Sequence, residues 1–244
     1  MEDLMPTLKA VEAAAVRYHA TILFPQKVLG TKPESPEVLA AHLERLGVAK
    51  DEIRRQVAAL RTEAQEAGAE EEADFVESAE KKARTTFLYD DDGPVLQAVQ
   101  FNAMLREMLS CRGTFVSKKG TKQTFQHMLS FHALDASGKT RPAAIYDMIP
   151  TYDAITGKRL TEPTGTVEMT ANVSTPMGPR SIVKQHRYME NVRIYLEIRV
   201  NANARIAIPD AEIAACLACA QTDGIGACRS QGYGTLRVER LVRI

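Results

Sequence analysis

The chain has no tryptophan, and aromatics make up only 6% of its 244 residues. Its near-ultraviolet absorbance therefore rests on seven tyrosines, and bound nucleic acid would dominate the 260/280 nm ratio. Cysteine is scarce as well. Four thiols, Cys111, Cys216, Cys219 and Cys228, are too few for a disulfide scaffold in a chain of this length. Reduced thiols in a cytoplasmic protein are the expectation. No apolar run approaches the roughly 20 residues of a membrane span, so a spanning helix and a membrane partner are not expected. Glu2 and Asp3 stand where a secretory signal would place basic residues. Net charge is absent too, with 31 basic against 31 acidic residues, which argues against indiscriminate binding to polyanions.

That neutrality hides a division. Residues 1–104 carry 12 basic and 19 acidic side chains, and residues 105–244 carry the reverse, 19 and 12. The second part of the chain thus suits a polyanion partner through a local basic surface.

Met5 to Ala14 reads as a helix. Val16 to Phe24 alternates, with Tyr18, Ala20, Ile22 and Phe24 on one side and Arg17, His19 and Thr21 on the other, which predicts a strand. Residues 34–84 read as a helical insertion of three helices, opened by Ser35-Pro36-Glu37 and interrupted at Gly47 and Gly68. Thr85–Tyr89 is a short strand, Asp90 to Pro94 a turn, and Val95–Leu109 a helix with an apolar stripe. Residues 112–126 are basic and loop-like, with Lys118, Lys119 and Lys122 interleaved by Phe115 and Phe125. Such a segment suits phosphate contact and base stacking as well as it suits a solvated hairpin tip. Strands follow at Met128–Leu134, Thr166–Val173, Ser181–Arg187 and Arg193–Val200, then a helix at Pro209–Gln221 and a last strand at Leu236–Val242. The core order is βαββαβ with two insertions.

Between that last helix and strand lies Gly224-Ile225-Gly226-Ala227-Cys228-Arg229-Ser230-Gln231-Gly232-Tyr233-Gly234. Four glycines permit positive φ and close approach of another backbone. A run of bare amides there suits an anion, phosphate above all, with Arg229 supplying charge. The plainer reading is a tight helix-to-strand connection. Two Gly-x-Gly pairs with an arginine between them favour the anion.

A helix, this glycine run and a final strand resemble the glycine-rich signature of the RAMP superfamily of CRISPR-associated proteins. Tyr89-Asp90-Asp91-Asp92-Gly93-Pro94 followed by Asn102-Ala103-Met104-Leu105-Arg106 also resembles the family's first helix and its approach, although Gln100-Phe101-Asn102-Ala103 replaces the usual Gly-Ser-Ser-x-Lys-Gly start. The resemblance implies an α+β protein with a ferredoxin-like (RRM-type) core, formed by 1–33 and 85–244, and a β-hairpin arm at about 150–190. It implies a guide-RNA-binding backbone subunit that packs with other effector subunits or copies of itself and needs no cofactor. RNA contacts would come from Gly224, Gly226, Arg229, Ser230, Gly232, Tyr233, Gly234, Arg106, Lys118, Lys119, Lys122, and from Arg180, Lys184 and Arg187 on the arm.

Enzymatic alternatives within the family are endoribonucleases, using either a histidine near the first helix or a loop aspartate. Val95–Leu109 contains no histidine. His127, His132 and His186 are not joined by the spacing to any partner. Asp90, Asp91 and Asp92 read first as an exposed turn, with catalysis or divalent-cation binding as the minority reading. A non-catalytic assembly protein that borrows the fold is the third possibility. Cys216-x-x-Cys219 lies mid-helix, where i and i+3 share a face, and reads as packing rather than as a metal or redox pair.

Overall fold

The computed structural model describes residues 16–33, 39–40, 43–44, 49–66, 84–111, 129–142, 147–175, 178–200 and 210–244. The helix expected at Met5–Ala14, the third insertion helix, and the basic segment with Lys118, Lys119 and Lys122 lie outside these. Contacts divide the chain into two units, one drawn from Met1–Val28, Val95–Leu160 and Glu190–Ile244, the other from Leu29–Pro94 and Thr161–Met189. The protein is mixed α+β.

The elements in chain order are β1 (Val16–Phe24), β2 (Val28–Leu29), β3 (Lys32–Pro33), α1 (Lys50–Glu66), β4 (Arg84–Thr86), β5 (Leu88–Asp90), β6 (Gly93–Gln97) and α2 (Ala98–Cys111). There follow β7 (Leu129–Ala133), β8 (Met148–Pro150), β9 (Tyr152–Asp153), β10 (Gly165–Thr175), β11 (Gly178–Met189), β12 (Val192–Val200), α3 (Asp210–Asp223) and β13 (Arg237–Arg243).

The first unit is built on a sheet of order β13-β1-β12-β7, with β9 paired beside β12. Each of its main pairings is antiparallel, with Tyr18 opposite Ile198 and Arg243, and Ile198 opposite Phe131. Alternation sends Tyr18, Ala20, Ile22 and Phe24 of β1 to one face, and Val192, Ile194, Leu196, Ile198 and Val200 of β12 to the same face. All are buried. Helices α2 and α3 pack there. Phe101 of α2 meets Phe131 of β7 with ring centroids 5.8 Å apart. Ile213, Cys216, Leu217 and Ala220 of α3 recur at helical spacing and are all buried. Cys216 is thus a small apolar filler, as its mid-helix position predicts, and Cys219 is partly exposed.

The start of α3 is tied to the sheet. Tyr18 Oη donates to Asp210 Oδ1 at 2.7 Å, and Arg243 Nη1 reaches the same carboxylate at 2.9 and 3.1 Å. Asp210 also sits where the helix dipole favours negative charge. Burial, then the Asp210 hydrogen bond and charge, push the Tyr18 phenol up to about 12.

One helix boundary differs from its expected place. The apolar residues Val95 and Leu96 continue a helical stripe on paper, yet Gly93–Gln97 is a strand and the helix begins at Ala98. Val95 and Leu96 are 2% and 1% exposed and pair with Pro150 and Ile149 of β8. A short apolar run buried on both sides has no periodicity that separates strand from helix.

In the second unit the long hairpin β10–β11 runs from Gly165 opposite Tyr188 to Thr175 opposite Gly178. Its β11 strand pairs in parallel with β4, which pairs antiparallel with β3. Gly30 passes close to this sheet: its N–H donates to Arg187 O at 2.8 Å, and a Cβ there would meet the Thr86 carbonyl carbon and oxygen at 2.4 Å. The helix α1 presents Gln56, only 2% exposed, whose amide group donates to Tyr89 O at 2.7 Å and accepts from Tyr89 N at 3.0 Å. A glutamine on an otherwise apolar stripe therefore substitutes for a neighbouring strand beside β5.

Candidate nucleic-acid interface

The glycine-rich turn between α3 and β13 has a locked part and an open part. Gly224 ends the helix with φ +68°, its N–H bonded to Ala220 O at 2.9 Å. Ile225 N donates to Gly234 O at 2.9 Å, and Gly234 N donates to Lys27 O at 2.8 Å. A Cβ on Gly224 would stand 2.6 Å from Gly234 O, and one on Gly234 would overlap Ile225 O. These two glycines let two backbones touch.

Between them the chain is partly exposed. Gly226 and Cys228 have φ of +82° and +57°, on either side of Ala227, and Cys228 leads into a 3₁₀ turn at Arg229–Gln231. Alternation of handedness aims successive amides the same way, which is the geometry of an anion-binding nest. Among the described residues, nothing accepts from the N–H groups of Gly226, Ala227 and Cys228. Gly232 closes the 3₁₀ turn with φ +85°, and a Cβ there would meet nothing within 4 Å. Arg229 and Tyr233 are half-buried in this loop, and the backbone of Ser230 lies in the same turn.

Of the other expected contact residues, those on described elements stand elsewhere in the chain order. Arg106 lies on α2, away from the turn in sequence and on a different helix. Arg180, Lys184 and Arg187 stand on β11 opposite Val173, Met169 and Thr166, in the second unit. By alternation Lys184 and Arg187 belong to opposite faces of the strand. His186, expected on the arm with them, is buried at 6% exposure. Its Nδ1 lies 2.6 Å from Thr85 Oγ1, which donates to Gly30 O. Burial, with Lys184 adding to it, holds the imidazole below its usual pKa despite the Gly30 backbone contact, so it packs as a neutral group.

The three aspartates face different partners. Asp90, 8% exposed, accepts from the N–H groups of Asp92 at 3.1 Å and Gly93 at 3.0 Å. Asp91 receives Arg55 of α1 at 3.2 Å. Asp92 is exposed. Among the described residues no three His, Cys, Asp or Glu side chains are arranged to hold a metal ion. Asp90 organises its turn, so Asp90→Ala should lower stability by about 1–2 kcal/mol in urea unfolding, with Asp90→Asn losing less because it keeps an acceptor.

A polar cluster that the alternation pattern alone does not single out sits on the sheet face opposite the helices. Glu197 lies in β12 between Leu196 and Ile198, and is directly opposite His19 on one side and His132 on the other. Glu197 is buried, with His19 Nε2 at 3.4 Å and the Arg199 guanidinium bonded to its other oxygen. The alternation of Val16–Phe24 places His19 on this polar side, and there it pairs with Glu197. The signal in the sequence is a single acidic residue inside an apolar strand, which becomes informative only once the register sets it between two histidines.

No family model matches the chain, and no curated protein matches it. Among solved structures, a chain in the cryo-EM structure of the Type III-B Cmr-beta bound to cognate target RNA is similar at 11% identity and a TM-score of 0.45, covering 98% of this chain. The chain spans 64% of the length of that neighbour. No helix among the described residues is long and apolar enough to cross a membrane.

Proposed function

We infer that the protein is an RNA-binding subunit of the RAMP type, gripping guide RNA by its phosphates and packing with other effector subunits or with copies of itself. The first unit is read as a ferredoxin-like (RRM-type) βαββαβ core. Supporting this are a sheet whose four main strands stand in the order fourth, first, third, second, and two helices that follow the first and third of them. The segment expected as a helical insertion and the hairpin arm are read as modules carried on that core, in a cytoplasmic protein.

The observation that carries the reading is the turn at Gly226–Cys228, where three successive amides have no acceptor among the described residues and Arg229 follows directly. A phosphate seated there would receive backbone hydrogen bonds and a guanidinium charge, with no contact to base edges. Binding would then be set by backbone shape and charge rather than by sequence. The positions on β11 (Arg180, Lys184, Arg187), Arg106, and the lysines 118, 119 and 122 are proposed as further contacts along the strand.

Arg229→Ala tests it. Affinity for unrelated RNA sequences should fall by a similar factor, roughly three- to tenfold, and the slope of log affinity against log salt should shrink by about one phosphate. Thermal melting is measured alongside, so that a loss of folding is separated from a loss of binding. A normally folded variant with unchanged affinity and unchanged slope would reduce the loop to a turn.

A further inference from the structure

We propose that the sheet face opposite the helices holds a second anion site, built from Arg17, His19, His132 and Arg199 around Glu197, which takes a backbone phosphate of the same RNA and binds a proton at His132 as it does so. Its role as an RNA contact rests on the reading above. Its chemistry does not.

The register brings these groups together. Arg17 is opposite Arg199, and Arg199 is opposite Ser130. One row along, His19 is opposite Glu197, and Glu197 is opposite His132. All belong to the first unit, and all lie on the face that Phe131 and Ile198 do not use. Two guanidinium groups against one carboxylate leave these residues with a formal charge of +1, which protonation of His132 would raise to +2. The carboxylate is fully covered, whereas the cations around it are not: side-chain exposure is 4% for Glu197, 34% for His19 and 30% for Arg199. A buried carboxylate thus holds His19 and Arg199, whose side chains are each about a third exposed.

Backbone phosphate, rather than a base, is the matching ligand. The aromatic ring nearest on this face, Tyr195, is already engaged edge-on by Tyr152 at 5.4 Å. At the far end of the face Arg193 is held by Glu239 at 2.8 and 3.2 Å, so its charge is already matched, while Arg240 of β13, opposite Thr21, adds a further cation to the face.

The proton follows from the surroundings of His132. Its Nε2 lies 2.9 Å from Ser130 Oγ on its own strand. From β12 it faces Glu197 and Arg199, and from β1 Arg17 and His19. On β13, Val242 is opposite His19 and Arg240 one pair further on. The turn after β7 brings Asp135 and Lys139, with the Gly138 position 3.9 Å from His19 Nδ1. Burial, then the Arg199 charge, hold the His132 imidazole below its usual pKa, Glu197 partly opposes them, and Arg17 adds to the lowering. An arriving phosphate offsets both arginines. It therefore removes part of what keeps the imidazole neutral, and binding takes up a proton.

Two probes test this on the full chain. The His132 ring C–H resonances are titrated by NMR with and without tripolyphosphate, and the expected result is a rise of about half a pH unit in the His132 midpoint. Single-stranded RNA binding is measured calorimetrically near pH 6 in two buffers of different ionisation enthalpy. Uptake of up to about one proton is expected in the wild type, and loss of that uptake in His132→Gln, which keeps a polar partner for Ser130. Arg17→Gln should weaken RNA binding roughly threefold or more and flatten the salt slope by about one phosphate. Unchanged proton uptake in His132→Gln, an unmoved His132 midpoint, or an unchanged Arg17→Gln slope would each overturn the site. If tripolyphosphate moves His132 while RNA does not bind at all, the anion site stands and the RNA reading falls.

Discussion

Gly234→Val should unfold the helix-to-strand turn and lower stability by about 4 kcal/mol or more, an effect of the size reserved for severe backbone or core defects. The melting temperature should drop by on the order of 10 °C. Two causes act together. The residue has φ +71°, which a β-branched side chain resists, and a Cβ would overlap the carbonyl oxygen of Ile225. Relief would require breaking the pair Ile225 N to Gly234 O and the bond from Gly234 N to Lys27 O, both of which set where β13 begins. Gly232→Ala is the control. Its φ of +85° is as unfavourable, but open space surrounds it, so a loss of about 1 kcal/mol is expected. Melting curves of the two variants side by side check this. Equal losses would mean that conformational strain alone, and not backbone contact, governs the turn.

Glu197→Ala should be the second most damaging single change, with a loss of about 2 kcal/mol. Removing one partner of a buried ion pair leaves the other charge without compensation, at about 3–5 kcal/mol for a pair shut off from water. Arg199 is 30% exposed and can turn outward, which lowers the expected figure. The pH dependence has a definite sign. Burial pushes the Glu197 carboxyl up, but the hydrogen bond and charge of Arg199, with His19 and Arg17, more than offset it and leave the carboxyl below its ordinary range. A depressed carboxyl stabilises the fold above its unfolded value of about 4.3, and that contribution is lost as the pH falls through the folded value. Denaturant unfolding from pH 7 to pH 3 should therefore show a steeper acid loss in wild type than in Glu197→Gln. Parallel curves would remove Glu197 from the balance.

The alternation in Val16–Phe24 and Arg193–Val200 marks the sheet and its buried face directly, because one face meets helices and the other does not. The bounds of α3 are nearly as plain, from its small apolar stripe and the glycine that stops it. What alternation does not carry is register. Whether Glu197 falls opposite His19 or opposite Thr21 depends on how two strands at least 168 residues apart are aligned. The polar cluster on the sheet is invisible until that alignment is known. Gln56 shows the same limit: a side chain that pairs with the Tyr89 backbone is indistinguishable, as a letter, from one in solvent. In the glycine run, composition identifies a special turn, but only the surroundings in the fold separate Gly224 and Gly234, against which another backbone packs, from Gly232, where a Cβ would meet open space.

The position of β1 inside the sheet also bears on how the molecule is made. Both strands that flank it, β12 and β13, come from the last quarter of the chain. After Phe24 has been polymerised, 168 further residues must be added before Val192 exists to pair with it. At roughly 5–20 residues per second, that is a wait on the order of ten seconds or longer. Throughout it, a nine-residue segment of strong β propensity is extruded with neither edge covered, a state in which sister chains can pair with it. Arg17 and His19, one residue apart from the apolar positions, place charge and polarity on the segment during that interval. Ordering of this sheet is thus a late, long-range event that depends on closing a very large loop, and slow folding dominated by non-local pairing is the kinetic signature of the topology.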